Sequence, residues 1–266
     1  MLQDAAGKQH MHAGSRARVV SLSPPLTELM FDLDLGWKLA GRTSGCVEPA
    51  GQVEQINLVG TTKKIDVMAL AELGPSHVLV NIDDTPPSLV QEITGLGVEV
   101  IITQCQGPED NVGLYDLIGD IFGAVEQAES LTEVLQQEIT AARLSAAERP
   151  VKKVIYLTWK NPWLTVSDNT YTANMLSLTG LQILGGDGKG RYPEIEINRA
   201  LLAQADLLLF GNEPFQFEDE DMEDFQLEYG VGSKPQLAII DGRSLAWCGK
   251  RAVEGLRELS QLAAAL

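Results

Sequence analysis

Apolar positions along the chain fall into two alternating patterns. Short runs of branched or leucine-type residues read as strands, and longer stretches with apolar residues three or four apart read as helices. The run 18–22 (RVVSL) predicts a first strand, followed by SPPLTELMFDLDL as a helix with Ser23 as N-cap and Pro24 and Pro25 in its first turn. Further strands are predicted at 38–43, 77–81 and 98–103, with helices at 66–73 and 86–97 between them. Strands separated by helices imply a parallel sheet covered on both faces.

The rhythm breaks after Gly113. No proline and no further strand occur before Pro150, and residues 124–148 are strong helix formers with apolar positions at helical spacing. Such a helix would be a rod of roughly 35–40 Å. The alternation then resumes with a strand at 152–159, a helix at about 171–180, a short apolar LQIL and a glycine-rich loop. The helix INRALLAQA, the strand DLLLFG, an acidic run, the strand 237–241 and a last helix from Arg251 complete the chain. The segments DVMALAELGPSHVLVN and EINRALLAQADLLLFG repeat one grammar about half a chain apart.

The predicted organisation is α/β. An N-terminal tail (1–17) precedes an N-terminal lobe (18–123), a linking helix (124–149) and a C-terminal lobe (150–266), each lobe holding a parallel-type sheet flanked by helices. Ligands of open parallel sheets bind beyond the carboxyl ends of the strands. Two such sheets facing each other would leave a cleft walled by loops 43–49, 81–87, 103–110, 158–165, 210–217 and 241–249.

Composition narrows the partners. The chain of 266 residues carries 37 acidic and 20 basic residues, a net charge of −17, which disfavours nucleic acid and anionic membrane surfaces. No apolar run reaches the ~20 residues of a membrane span. The first residues lack the apolar centre of a secretory signal, so the chain as given is expected in the cytoplasm, or in the periplasm if a signal has been removed. Cys46, Cys105 and Cys248 are few and odd in number, unlike a disulfide framework.

The candidate chemistry lies in the predicted cleft loops. Trp159, Trp163 and Trp247 fall there with Phe215 and Phe217, and flat aromatic faces suit a broad planar ligand. A tryptophan at a strand end also serves as a lid on its own lobe's core. Trp37, just before a strand, reads as packing at the opposite end of its lobe. Cys46, Glu48, Asp83, Asp84, Glu109 and Glu213 share the cleft loops. The carboxylates could accept hydrogen bonds from amide-bearing or cationic ligands, or cap adjacent helices. The few cations in these loops (Lys160, Arg243, Lys250) argue against a strongly anionic ligand. No metal site is expected, since His10 and His12 lie in the tail and His77 opens a strand. GGDGKGR lacks the Ser or Thr of a phosphate-binding loop after its lysine, and no catalytic constellation stands out.

The stretch RVVSLSPPLTELMFDLDLGWKLAGRTSGCVEP, the segment VGTTKKIDVMALAELGPSHVLV, the NPWLT…TYTANMLSLTG stretch and the final WCGKRAVEGL resemble the helical-backbone periplasmic substrate-binding proteins of ABC importers for cobalamin and iron-siderophores. The resemblance runs from about Arg18 to the end. It implies two α/β lobes joined by one rigid helix and a non-enzymatic, monomeric receptor without a cofactor. The implied ligand is cobalamin or a related corrinoid, with an iron-siderophore or haem as the alternative, and a scaffold or sensor on the same fold as another. Members that dock an ABC permease carry an exposed glutamate in each lobe; the positions that match here are Met68 and Asn198, with Asp66 and Glu196 close by. That departure implies a relative that does not feed a transporter.

Overall fold

The computed structural model describes residues 2–266, and the chain divides into two compact units. The first comprises residues 1–105, 110–133 and 248–250; the second comprises 106–109, 134–247 and 251–266.

The first unit begins β1 (Val19–Ser21), α1 (Pro24–Asp32) and β2 (Leu39–Arg42). Two short strands follow, β3 (Asn57–Leu58) and β4 (Gly60–Thr61), and β4 pairs antiparallel with β5 (Lys64–Ile65) in a hairpin that the apolar pattern does not reveal. Then come α2 (Val67–Glu72), β6 (His77–Asn81), α3 (Pro87–Thr94), β7 (Glu99–Thr103) and α4 (Asp110–Phe122). The sheet order is β3-β2-β1-β6-β7, and every pairing in it is parallel. β1 is buried along its whole length, as a central parallel strand covered on both faces should be. Leu70 of α2 and Ile93 of α3 pack on Val20, Val78, Val80 and Val100 of the sheet.

Ser23 occupies the N-cap of α1 in extended backbone, but its side chain makes no capping bond. A cap oxygen accepts from the second or third helical N–H, and Pro25 at the second position has none to give. The Ser23 hydroxyl is buried without a partner. Asp66, by contrast, caps α2 by accepting from the Ala69 N–H at 3.0 Å. The segment before β1, which reads as a polar tail, is tied down. The Ala5 N–H donates to the Ile102 carbonyl at 2.8 Å, and the buried His10 ring lies between Asp4 (3.0 Å) and Glu99 (2.7 Å). Trp37 also departs from expectation. It is 70% exposed rather than packed, with the Lys38 ammonium over its ring at 4.2 Å.

α5 (Val125–Ala147) is the 23-residue helix that the long helical stretch predicts. It buries Ala128, Leu135, Ile139 and Ala142 at helical spacing, and its residues are divided between the two units at Glu133 and Val134. The second unit continues with β8 (Lys152–Leu157), α6 (Tyr171–Leu178), β9 (Leu181–Ile183) and α7 (Arg199–Leu202). It closes with β10 (Leu207–Gly211), α8 (Asp219–Tyr229), β11 (Gln236–Ile240), α9 (Gly242–Ala246) and α10 (Arg251–Ala265). Its sheet runs β11-β10-β8-β9, again parallel throughout. α7 is shorter than INRALLAQA suggests, because the chain must turn to enter β10, where the Asp206 N–H already bonds the Lys153 carbonyl at 2.8 Å. The acidic run opens α8 through a capping box between Glu218 and Asp221, so negative charge meets the helix's positive end. Among the described residues no helix is long and apolar enough to cross a membrane.

Gly255 marks where α10 packs on α9. A Cβ there would overlap the Ser244 carbonyl oxygen and approach the Met175 methyl to 2.9 Å. Glycine-to-alanine changes inside helices ordinarily stabilise by about 1 kcal/mol. Gly255→Ala is expected to reverse that sign and destabilise by ~1–3 kcal/mol through overpacking. Urea unfolding measures the difference, and a stabilised variant would show that α9 and α10 are not held this close.

Candidate functional site

Because the strands of each sheet run parallel, the loops leaving them gather at the sheet's carboxyl edge. In the second unit β8, β10 and β11 are neighbours, so the loops after Leu157, Gly211 and Ile240 lie side by side. Trp159 and Lys160 come from the first of these loops, Glu213, Phe215 and Phe217 from the second, and Asp241, Arg243 and Trp247 from the third.

The aromatic residues form a graded cluster, from core to surface. Phe217, 4% exposed, belongs to the hydrophobic core with Phe210 and Phe225. Trp163 lies partly buried against that core. It stacks on Phe217 with centroids 6.2 Å apart, meets Phe225 edge-on at 5.3 Å, and donates its indole N–H to the Tyr229 hydroxyl at 2.9 Å. Phe215 comes next, 4.6 Å from Phe217. Trp159 is outermost, 39% exposed and edge-on to Phe215 at 5.4 Å. The Lys160 ammonium sits 5.4 Å above the Phe215 ring while paired with Asp221. Trp247 is half-buried and stands apart from the other rings, with the Arg251 guanidinium 5.5 Å from its centroid.

Charge at this edge is held in pairs. Asp241 accepts from the Arg243 Nε at 3.2 Å and lies 3.7 Å from Arg251. Glu213 is half-buried, and burial pushes its carboxyl above the usual range; Arg243 pulls it back and Asp241 pushes it further up. The Gly242 N–H donates to the Asn212 side chain at 3.0 Å, tying the second loop to the third.

In the first unit the corresponding loops follow β2, β6 and β7. Cys46 is fully buried rather than presented to a ligand, because its sulfur receives the Thr27 hydroxyl at 3.0 Å and lies 3.3 Å from the Thr43 hydroxyl. Phe217 likewise sits inside its core, contrary to the expectation that it lines the site. Glu48 is half-buried and accepts from the Ala50 N–H at 3.1 Å, a local turn bond. Asp83 and Asp84 are exposed, and Asp83 accepts from the Gln104 side chain at 3.4 Å. Glu109, at the end of the same connection but in the second unit, pairs with Arg143 of that unit. No cluster of three or more His, Cys, Asp or Glu able to hold a metal occurs among the described residues.

The pairing of Lys160 with Asp221, 61 residues further on, escapes sequence reading, whereas Arg243 meets Asp241 two residues before it and Arg251 approaches the same carboxylate from the start of α10. An open depression of about 500 Å³, lined by Arg143, Ala146, Asn174 and Ser177 among others, lies near the amino ends of β8 and β9 and includes none of the aromatic residues.

Each unit is built on its own parallel sheet, and the second carries a cluster of aromatic rings beside its carboxyl edge. The chain belongs to the periplasmic binding protein family, whose model matches residues 19–231. It is 21% identical over 207 residues to the vitamin B12-binding protein of Yersinia pseudotuberculosis, covering 78% of this chain and 74% of that one. Its fold is similar to that of the periplasmic vitamin B12 binding protein of Vibrio cholerae, with a TM-score of 0.83 at 17% identity over 94% of this chain and 98% of that chain. It is also similar to the periplasmic heme-binding protein of Roseiflexus sp. RS-1, with a TM-score of 0.77 at 22% identity over 95% and 98%. Members of this family bind substrates, as the resemblance in sequence implies.

The raised carboxyl of Glu213 has a sign that can be tested. A carboxyl whose pKa is higher folded than unfolded costs stability once pH rises above its unfolded value, and costs nothing below it. Glu213→Gln is therefore expected to raise the melting temperature at pH 7–8 relative to the parent, with the gain vanishing near pH 4. A gain that is equal at both pH values would show that charge is not its cause.

Proposed function

We propose that this chain is a non-enzymatic receptor for a bulky, partly planar metal chelate, cobalamin or a related corrinoid first among them. The observation that carries the reading is the half-exposed Trp159 ring braced by Phe215 at the carboxyl edge of the second sheet. An indole held from behind offers a flat face without having to order itself on binding. The vitamin B12-binding relatives favour a corrinoid, and the heme-binding neighbours make haem, with iron-siderophores, the second ligand class.

In this reading Trp159, Phe215 and Trp247 contact the ligand, and Glu213 accepts hydrogen bonds from its rim. Trp163, Phe217 and Cys46 shape the wall from behind, since their surfaces are occupied by protein. The linking helix (124–149) joins an N-terminal and a C-terminal lobe. The protein acts as a monomer.

Partnership with an ABC permease is the family's habit, and service without a permease, as a cytoplasmic binding protein or sensor, is the second reading. Two observations favour service without a permease, whichever compartment holds the chain. Met68, where a docking glutamate would stand, is a methionine 72% exposed on α2, and the Asn198 side chain is engaged as the N-cap of α7, bonded to the Leu201 N–H at 2.9 Å.

Spectroscopic titration against cyanocobalamin, cobinamide, haem and a ferric siderophore tests the proposal. Trp159→Ala is expected to weaken corrinoid binding by ~1–3 kcal/mol while leaving the melting temperature nearly unchanged. Trp163→Ala should instead lose stability first, because it empties a packed site. Absence of any absorbance change with all four ligands would leave the scaffold reading in place.

A further inference from the structure

Two of the three cysteines are neighbours. Cys105 follows β7, and Cys248 lies between α9 and α10, yet their side chains hydrogen-bond one another and each is only 6% exposed. The segment that carries Cys248 is seated firmly. Residues 248–250 belong to the first unit although Trp247 and Arg251 belong to the second, and the Gly249 N–H donates to the buried Asn111 side chain at 2.6 Å. The adjacent Tyr115 hydroxyl is buried with no hydrogen-bond partner, and the Asp110 and Asp83 carboxylates act on Cys105 from further off. A neutral disulfide needs no hydrogen bonds, so it would sit in this setting without stranding a polar group. Cys46 is occupied differently, by the hydroxyls of Thr27 and Thr43.

We propose that Cys105 and Cys248 are a disulfide-forming pair, joined when the chain folds in the presence of a small-molecule disulfide such as oxidised glutathione, while Cys46 remains a thiol. One cysteine, as thiolate, attacks the glutathione disulfide; a protein–glutathione disulfide forms and one glutathione thiolate leaves. The second cysteine gives up its proton and attacks the protein sulfur of that mixed disulfide, expelling the second glutathione. Two protein thiols are thereby oxidised, and one glutathione disulfide is reduced to two glutathione thiols. The reaction belongs to folding rather than to the folded state. In the folded chain the bond from Cys248, and then burial, push the Cys105 thiol far up, so it offers little thiolate. The periplasm named by the family is an oxidising compartment, where such a bond persists. The pair is far apart in sequence, so the link removes much freedom from the unfolded chain.

The test refolds the denatured, reduced chain in a glutathione redox buffer and, in parallel, in dithiothreitol. Thiols are then counted in denaturant, and peptides are mapped without reduction. Oxidised protein is expected to show one free thiol against three in the reduced form, a linkage between the Cys105 and Cys248 peptides, and a melting temperature higher by roughly 5–15 °C. Cys46→Ser should keep the linkage and the shift; Cys105→Ser and Cys248→Ser should lose both. Three thiols after oxidative refolding, a linkage that includes Cys46, or an oxidised form that melts no higher than the reduced one would each overturn the proposal. The wild-type readings decide even if the serine variants fold poorly.

Discussion

Parallel strand pairing is the constraint from which the candidate site follows. When neighbouring strands run the same way, the chain must cross over through a helix after each one and re-enter from the other end, so all loops of one kind collect at one edge. In the second unit, hydrogen bonding of β10 to both β8 and β11 brings the loops after the three strands together, so that residues as far apart in sequence as Trp159 and Phe215 meet. An antiparallel version of the same segments would scatter them over both edges. The core supplies the rigidity: Phe210 and Phe225 hold Phe217 and Trp163, which support Phe215, which supports Trp159. A side chain at the end of such a stack keeps its orientation without a bound ligand.

Much of this architecture was legible because buried parallel strands write a simple signal. VVS, HVLVN, KKVIYL and LLLFG are short, branched or leucine-rich, and flanked by turn residues, and each is a strand. The long helix was equally plain from its length and spacing. What escaped notice depends on contacts between segments. The β4–β5 hairpin has only two residues on each side and no apolar alternation, so nothing in the pattern separates it from a loop. The tail before β1 looks polar, yet Asp4 and His10 are buried, because each satisfies the other and backbone or carboxylate groups on β7 satisfy the rest.

At the candidate site, strand order sets the loops after β8, β10 and β11 side by side, but residue type does not fix how deeply each of their side chains is buried. Residue type alone cannot distinguish Phe215 from Phe217, two positions apart on one loop; one is half-buried at the rim and the other lies in the core. Cys46 illustrates the same limit, since its burial depends on hydroxyls from Thr27 and Thr43 that no spacing rule connects to it. The odd cysteine count suggested isolated thiols, and only the packing of residue 248 against the first unit turns two of them into neighbours.

The charge arrangement at the second sheet's edge bears directly on ligand class. Lys160 is engaged by Asp221, and Arg243 and Arg251 both engage Asp241. An anionic chelate would have to compete with these carboxylates for each cation, giving up one ion pair to gain another, a near-neutral exchange at exposed sites. It would also have to approach a chain of net charge −17. A ligand with neutral amides on its rim meets neither obstacle: it can donate to the acidic groups as they stand and lay its ring system against the indole. Glu213 strengthens the point. Its carboxyl is already disfavoured as an anion by burial and by Asp241, so a neutral donor that hydrogen-bonds it relieves an existing cost, whereas a second anion beside it would add to one. Under the proposed reading, a carboxylate-rich rim that looks unsuited to a metal chelate suits one whose periphery is uncharged.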